Sequence, residues 1–192
     1  MSTKELVIVL TGVPGVGKTT VADRLAEGLG GVHIDLSNLA ERENLIAGWD
    51  EERETAIVDL DGMRERLMRI HDSPKGPLIV EGHFAPDIVP SEMASFVFVL
   101  RRAPWRLKEE LEARGYGREK VRENVEAELL GVCLVEAIEA YGSERICEID
   151  TTGRTPEEIS EEILSIIDGG ACDRGRIDWL GCAESERLLE DG

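Results

Sequence analysis

Short apolar runs alternate with longer amphipathic segments along the 192 residues of the chain. The first run, ELVIVL at Glu5–Leu10, is continuous and is typical of a strand buried on both faces. Similar runs follow in VHIDL, PLIVEG, SFVFVLR and RICEID. After the first run, Val21, Leu25 and Leu29 recur every four residues, which predicts a helix with one apolar stripe. This alternation predicts an α/β fold with a parallel five-stranded sheet flanked by helices.

Other segments carry helix patterns of differing strength. Helices are expected from Pro104 to Arg114 and, as one long element, from Val121 to Tyr141. TPEE, with Thr155 as the N-cap and Glu158 completing a capping box, marks the start of the last helix. Residues 37–61 are charged and poorly periodic, so short helices and loops are expected there. The pattern indicates one domain over residues 1–168 and a tail over 169–192, with a possible short helix near Trp179.

Charge and cysteine usage narrow the possible functions. Acidic residues outnumber basic ones 40 to 22, giving a net charge of −18. Such a chain repels nucleic acid and suits basic partners, although solubility alone is an alternative explanation. The pattern of MSTKELVIVL is not that of a signal peptide, and no apolar run is long enough to cross a membrane, so a cytoplasmic protein is expected. The four cysteines, which form no CxxC pair, are predicted to be reduced thiols: Cys133, Cys147, Cys172 and Cys182.

The strongest chemical signal is GVPGVGKT, which follows the first strand and opens the first helix. It matches G-x-x-x-x-G-K-[ST] at Gly12, Gly17, Lys18 and Thr19. Glycines let the backbone N–H groups point inward, and the helix N-terminus adds positive potential for phosphates. Lys18 is expected to reach the β- and γ-phosphates, and the Thr19 hydroxyl to coordinate Mg²⁺. The motif therefore predicts a nucleoside triphosphate site.

A carboxylate ends the strand in PLIVEG, and an imidazole follows two residues later. In P-loop proteins a strand beside the first ends in a carboxylate that orients Mg²⁺ or its water, a role that fits Glu81. His83 would lie just beyond the carboxyl edge of the sheet, where it could orient or deprotonate an attacking water or hydroxyl. The alternatives are a solvated strand end for Glu81 and a loop histidine bonded to the backbone for His83.

The phosphate motif does not by itself separate kinase, ATPase and GTPase. The N-K-x-D motif that reads guanine in GTPases is absent, and the small size disfavours a motor or transporter ATPase. A nucleotide or small-molecule kinase is favoured. A shikimate-like kinase would need its own substrate motif, and none is found.

Four segments in order, TGVPGVGKTT, AGWDEE, FVLR and LEARGYGREKVREN, resemble the adenylate kinase isoenzyme 6 family, of the Fap7 or coilin-interacting nuclear ATPase type. The resemblance runs from Leu6 to Asp168 and includes the acidic segment Asp50–Glu52. It implies an adenylate-kinase-like fold with an NMP-binding region at about residues 35–58 and a short lid at about 113–123.

The resemblance also implies a function. Members of this family transfer phosphate from ATP to AMP, hydrolyse ATP, and act in rRNA processing and maturation of the small ribosomal subunit, bound to the ribosomal protein uS11. Arg114 would close over the ATP phosphates, although a solvated helix-end arginine is the alternative. The residues implied to bind Mg²⁺-ATP or act in catalysis are Gly12, Gly15, Val16, Gly17, Lys18, Thr19, Thr20, Glu81, His83 and Arg114, with Thr19 and Glu81 at the metal.

The chain departs from the eukaryotic members at two places. They usually have Asp-x-His where this chain has Glu81-Gly82-His83, and they carry G-D-L-A-R where this chain reads SNLAER, with Arg42 one place late. One place on a helix is about 100° of rotation. Two acceptors for the phosphate stay open at this point: AMP, as in a kinase, or water, as in an ATPase-only assembly factor or chaperone for a ribosomal protein.

Overall fold

The computed structural model describes residues 6–51, 55–73, 76–172 and 177–184. Their strands are β1 Val7–Thr11, β2 Val32–Asp35, β3 Ile46–Asp50, β4 Thr55–Val58, β5 Leu78–Glu81, β6 Phe96–Arg101 and β7 Ile146–Asp150. Five of them form a parallel sheet in the order β2-β5-β1-β6-β7, which confirms the predicted fold class. The central strand β1 therefore has β5 on one side and β6 on the other.

Helices cover both faces of this sheet. They are α1 Lys18–Leu29, α2 Leu36–Arg42, α3 Leu60–His71, α4 Ala85–Ile88, α5 Pro104–Ala113, α6 Arg118–Leu129, α7 Val132–Tyr141 and α8 Pro156–Ile167. The capping box at Thr155 and Glu158 is present as predicted. Among the described residues, no helix is both long and apolar enough to span a membrane.

The continuous apolar run of β1 is explained by burial on both sides of the sheet. Ile8 and Leu10 face the core shared with α1, α5 and α8. Val7 and Val9 face the second core, shared with α3, α4 and α7. All four are at most 1% exposed, which is why these four consecutive positions are apolar.

Residues 37–61 contain a β-hairpin that the sequence pattern did not predict. Strands β3 and β4 pair with each other in antiparallel fashion and form a sheet of their own. Because the hairpin is half-exposed, with Trp49 61% and Ile57 50% exposed, it needs no continuous apolar run. Glu52, part of the acidic segment that carried the resemblance, lies outside the described residues.

The single long helix expected over residues 121–141 is wrong. Gly131 adopts a left-handed conformation with φ +67° and separates α6 from α7. Glycine accepts this conformation at no steric cost, so it ends the first helix and redirects the chain. Beyond the break, Val135 is 50% exposed, whereas Val125 before it is buried. The apolar spacing continues across the break, so periodicity alone could not reveal it.

The prediction of four reduced thiols is wrong for two of the cysteines. Cys147 in β7 and Cys172 after α8 form a disulfide, while Cys133 and Cys182 are free. The two residues are 25 apart in sequence and no local motif links them, but the fold brings their Cα atoms to 5.5 Å. The bond ties the segment after α8 to the outer strand of the sheet.

Part of the predicted tail packs on the domain through Trp179. Its indole is 9% exposed, lies edge-on to Trp105, and donates through Nε1 to Oε1 of the buried Glu128 at 2.8 Å. The same carboxylate accepts from Arg101 Nε at 2.7 Å, and Arg101 Nη1 also donates to Glu148 at 2.8 Å. Trp179 lies in a turn, and residues 173–176 and 185–192 lie outside the described residues.

Candidate active site

The phosphate motif forms the loop between β1 and α1. Gly12, Gly15 and Gly17 have φ values of +134°, +98° and +96°, in a backbone region that residues other than glycine rarely adopt. Gly17 is the N-cap of α1, so Lys18, Thr19 and Thr20 form the first turn of this helix. Val16 is buried beneath the loop. The loop thus has the local geometry that the motif predicts.

Lys18 folds back across this loop. Its Nζ donates to the carbonyl oxygens of Gly12 at 2.9 Å and Val13 at 3.1 Å. Burial lowers the pKa of Lys18, while the nearby charge of Glu81 acts in the opposite direction. The ammonium is therefore held at the rim of the loop by carbonyls that phosphate oxygens can replace.

Thr19 and Glu81 come together because β5 lies beside β1, with Glu81 in register with Leu10. The Thr19 hydroxyl donates to Glu81 Oε1 at 2.7 Å. Burial raises the pKa of Glu81, but the His33 imidazole, the Thr19 hydroxyl and the Lys18 charge outweigh it and lower the pKa overall. An ionised carboxylate beside a hydroxyl is a donor set that suits Mg²⁺, which takes few protein oxygens. The residues present fit a Mg²⁺-nucleotide.

His83 follows β5 at the same edge of the sheet. Its carbonyl accepts from the Thr11 hydroxyl at 3.2 Å, and its ring packs edge-on against Phe84 with centroids 4.9 Å apart. Surrounding protein and the charges of Lys18 and Lys120 lower the pKa of His83 to about 4. The residue keeps an exposed surface, so solvent screens part of this shift. The imidazole is therefore neutral at neutral pH and can accept a hydrogen bond.

Arg114 is not brought to the loop. It caps the C-terminal end of α5, where its N–H donates to the carbonyl of Glu110 at 3.1 Å, and its side chain is exposed. Within the described residues, no hydrogen bond or ion pair joins its guanidinium to the phosphate loop. Its closure over ATP stays a prediction.

A cleft of about 780 Å³ opens beside the loop, along the outer edge of β2. It begins at Thr19 and continues between α2 and α3, where Arg42 lines it together with Asp35 and Asn38. Two further arginines line it: Arg66, which pairs with Glu43 at 2.5 Å, and Arg69, which pairs with Glu65 at 3.4 Å. Arg42 therefore lies on the cleft despite its displaced position in the motif.

His33 is a second imidazole near Glu81 that the sequence pattern did not single out. Its Nδ1 lies 2.7 Å from Asp23 Oδ1, and its Nε2 lies 3.8 Å from Glu81 Oε1. Nε2 is buried and has no hydrogen-bond partner among the described residues. Burial lowers the pKa of His33, but Glu81 and Asp23 outweigh it and raise the pKa overall. Nothing in VHIDL marks this histidine as a site residue and not an ordinary member of the strand, because its partners come from α1 and β5.

Arg102, the residue directly after β6, is a further residue that the sequence analysis missed. Its Nη1 donates to the carbonyl of Gly15 at 3.2 Å and to Glu110 Oε2 at 2.8 Å, and its Nη2 donates to the carbonyl of Thr151 at 3.2 Å. The only signal in the sequence is a second arginine directly after FVFVLR. Arg102 thus contacts the loop that carries the phosphate motif.

Sequence comparisons agree with this geometry. A family model described as an AAA domain matches residues 8–131. A protein of Thermococcus kodakarensis named "Putative adenylate kinase" is 44% identical over 176 residues, covering 91% of this chain and 93% of that protein. Proteins of the same name from Pyrococcus furiosus and Methanococcus maripaludis are 38% and 39% identical, each over 91% of this chain, and are themselves covered to 91% and 96%.

Solved structures show the same fold at low identity. A shikimate kinase from Acinetobacter baumannii in complex with shikimate has a TM-score of 0.59 at 21% identity, covering 86% of this chain and 95% of that chain. Thymidylate kinase from Candida albicans has a TM-score of 0.55 at 16% identity, covering 88% and 93%. Together with the phosphate loop, the relatives place the chain plainly: it belongs to the adenylate-kinase-like family of P-loop nucleotide kinases.

Proposed function

We propose that the protein transfers the γ-phosphoryl group of ATP to AMP and so produces two molecules of ADP. One observation carries this proposal: the cleft lined by Arg42, Asp35 and Asn38 opens directly from Thr19 of the phosphate loop. A second anionic substrate in this cleft would have its phosphate near the loop. The names of the archaeal relatives agree with AMP as that substrate.

In the proposed reaction, an oxygen of the AMP phosphate attacks the γ-phosphorus, and the bond to the β–γ bridging oxygen breaks. Lys18 exchanges its carbonyl partners for the β- and γ-phosphates. Thr19 and Glu81 would hold Mg²⁺, which neutralises charge on the phosphates when bound. Arg114 would spread the charge on the transferring group.

We further propose that the same site hydrolyses ATP, with water as the acceptor. The neutral imidazole of His83 supports this role, because it lies at the carboxyl edge of the sheet, where it can accept a hydrogen bond from an attacking water and orient it. An ATPase without kinase activity is the alternative, and it would leave the arginine-lined cleft without a catalytic role.

The cellular role that we propose is maturation of the small ribosomal subunit in the cytoplasm, with the ribosomal protein uS11 as partner. This proposal rests on the family resemblance, and the net charge of −18 supports a basic partner. In a version of this role without kinase activity, the protein is a chaperone whose ATP hydrolysis times the release of uS11.

Enzyme assays test the reaction. We expect ADP formation from ATP and AMP to exceed that from ATP alone, and Lys18→Ala to abolish both. Arg42→Ala should raise the KM for AMP and leave ATP hydrolysis intact, whereas Arg24→Ala, an exposed ion-paired position on α1, should behave as wild type. Substantial turnover by Lys18→Ala would contradict the phosphate-site assignment. If AMP adds nothing to the rate of ADP formation, the ATPase-only alternative holds.

A binding assay tests the partner. Purified uS11 should be retained by the immobilised protein at low salt and released as the ionic strength rises, because charge complementarity weakens with screening. An unrelated basic protein of similar size and charge is the control. If the control is retained equally well, the interaction is nonspecific and the partner proposal fails.

A further inference from the structure

Arg102 joins three parts of the molecule that are distant in sequence. Its guanidinium donates to the carbonyl of Gly15 in the phosphate loop, to the carboxylate of Glu110 in α5, and to the carbonyl of Thr151 after β7. The side chain is 14% exposed and that of Glu110 is 30% exposed. These contacts lie between the phosphate loop and α5, the helix that Arg114 caps.

Direct packing supports the same link between the loop and α5. A Cβ on Gly15 would lie 2.9 Å from Leu107 Cδ1 and 3.0 Å from Leu111 Cδ2, and both leucines are fully buried. For Gly17, in the same loop, no heavy atom of the described residues beyond the adjoining backbone lies within 4 Å of the corresponding point. The helix α5 therefore rests on the loop at Gly15 in particular.

The link continues through α5 to Arg114. The Glu110 carboxylate accepts a hydrogen bond from Arg102 Nη1 at 2.8 Å, and the Glu110 carbonyl accepts one from the N–H of Arg114 at 3.1 Å. One residue later Gly115 turns the chain away with φ +80°. The position of the Arg114 backbone is thus fixed by contacts that connect α5 to the phosphate loop.

Stability alone does not account for an arginine at this position. Its Nε is buried without a hydrogen-bond partner among the described residues. An unsatisfied buried donor is costly, and apolar residues often replace such groups at no loss of stability. This cost suggests that the three directed contacts serve positioning.

We propose that Arg102 is a positioning residue that locks α5 to the phosphate loop and so sets the point from which Arg114 reaches the ATP phosphates. This inference rests on the proposed function, because it needs Arg114 to contact the triphosphate. Arg102 itself acts through α5 and does not touch the substrate.

A double-mutant cycle tests this role. Arg102→Met keeps the length of the side chain and removes its hydrogen bonds, and we expect kcat to fall about 10- to 100-fold, since small misplacements have effects of that size. The dissociation constant for ATP should change less than threefold. In an Arg114→Ala background, Arg102→Met should lower kcat less than about twofold further, because the residue it positions is gone.

Two outcomes would overturn the inference. If the effects of Arg102→Met and Arg114→Ala multiply, Arg102 does not act through Arg114. If Arg114→Ala alone leaves kcat unchanged, Arg114 has no role for Arg102 to set. A failure of the proposed AMP acceptor is distinguishable, because the wild type would then form no extra ADP with AMP while the cycle is still read on ATP hydrolysis.

Matched variants complete the design. Arg106→Met changes an exposed arginine of α5 whose partner is Glu109 at 2.7 Å, and kcat should stay at the wild-type value. Glu110→Gln weakens only the bond to α5, and it replaces Arg102→Met if thermal unfolding shows that the latter does not fold. It should show the same non-additivity with Arg114→Ala, and independent effects would overturn the proposal.

Discussion

Replacing Gly15 with alanine should damage the protein far more than replacing Gly17, although both glycines lie in the phosphate loop. Their φ values are nearly equal, +98° and +96°, so we expect a similar backbone strain for an alanine at both, about 1–2 kcal/mol. Only at Gly15 does the new methyl group meet other atoms, at 2.9 Å and 3.0 Å from Leu107 and Leu111. Gly17→Ala is therefore a matched control for the strain.

The difference between the two variants isolates the steric term. Overpacking a buried site costs about 1–3 kcal/mol, so Gly15→Ala should lower the free energy of unfolding by about 2–5 kcal/mol in total. Gly17→Ala should lower it by about 1–2 kcal/mol. Urea denaturation followed by circular dichroism measures both, with the midpoint shifting and the m-value unchanged.

A second set of variants, made in a Leu107→Ala background, tests whether the steric contact causes the larger loss at Gly15. Leu107→Ala removes the nearer contact and leaves that of Leu111 at 3.0 Å, so in that background Gly15→Ala should cost less than it does in the wild type and still more than Gly17→Ala does. Equal losses for the two single variants would refute the reasoning, since they would show that α5 does not press on the loop at Gly15. The positioning role inferred for Arg102 would then lose its supporting contact.

Three further predictions concern the tail, the disulfide and the imidazole. Trp179→Phe removes one hydrogen bond to the buried Glu128 carboxylate and should lower the free energy of unfolding by about 1.5–3 kcal/mol, as measured in urea; an unchanged midpoint would show that the bond is not formed in solution. Cys172→Ser opens a disulfide that spans 25 residues and should cost about 2–4 kcal/mol under oxidising conditions, a loss that disappears when the wild type is measured with reductant. The pKa of His83 is lowered to about 4, so between pH 6.5 and 4 the unfolded chain binds a proton that the native one does not. The free energy of unfolding of the wild type relative to that of His83→Gln should therefore decrease as the pH is lowered from 6.5 to 4 and stay constant above pH 6.5. A chelator in the buffer keeps metal ions out of the site. A difference that does not change with pH would contradict the lowered pKa.

The phosphate loop and several elements around it were predictable because their signals are local. The spacing from Gly12 to Thr19 specifies a backbone path that depends on few distant contacts, and the structure has positive φ values at its glycines. The capping box at Thr155 is equally local. Glu81 was found because strands that end at one edge of a parallel sheet bring their last residues together, and the observed strand order does this.

What the sequence determined by itself is therefore the nucleotide-binding class of the protein, the parallel sheet, and the pair Thr19–Glu81, all of which follow from periodicity and short motifs. The tertiary structure decided which distant residues join them. His33 reaches Glu81 only because β2 pairs with β5, and Arg102 reaches Gly15 only because β6 pairs with β1. Cys147 and Cys172 bond because the chain returns to β7 after α8. Such contacts depend on packing between separate elements. The pattern of residues along the sequence does not show how close two side chains will lie when they meet only after folding.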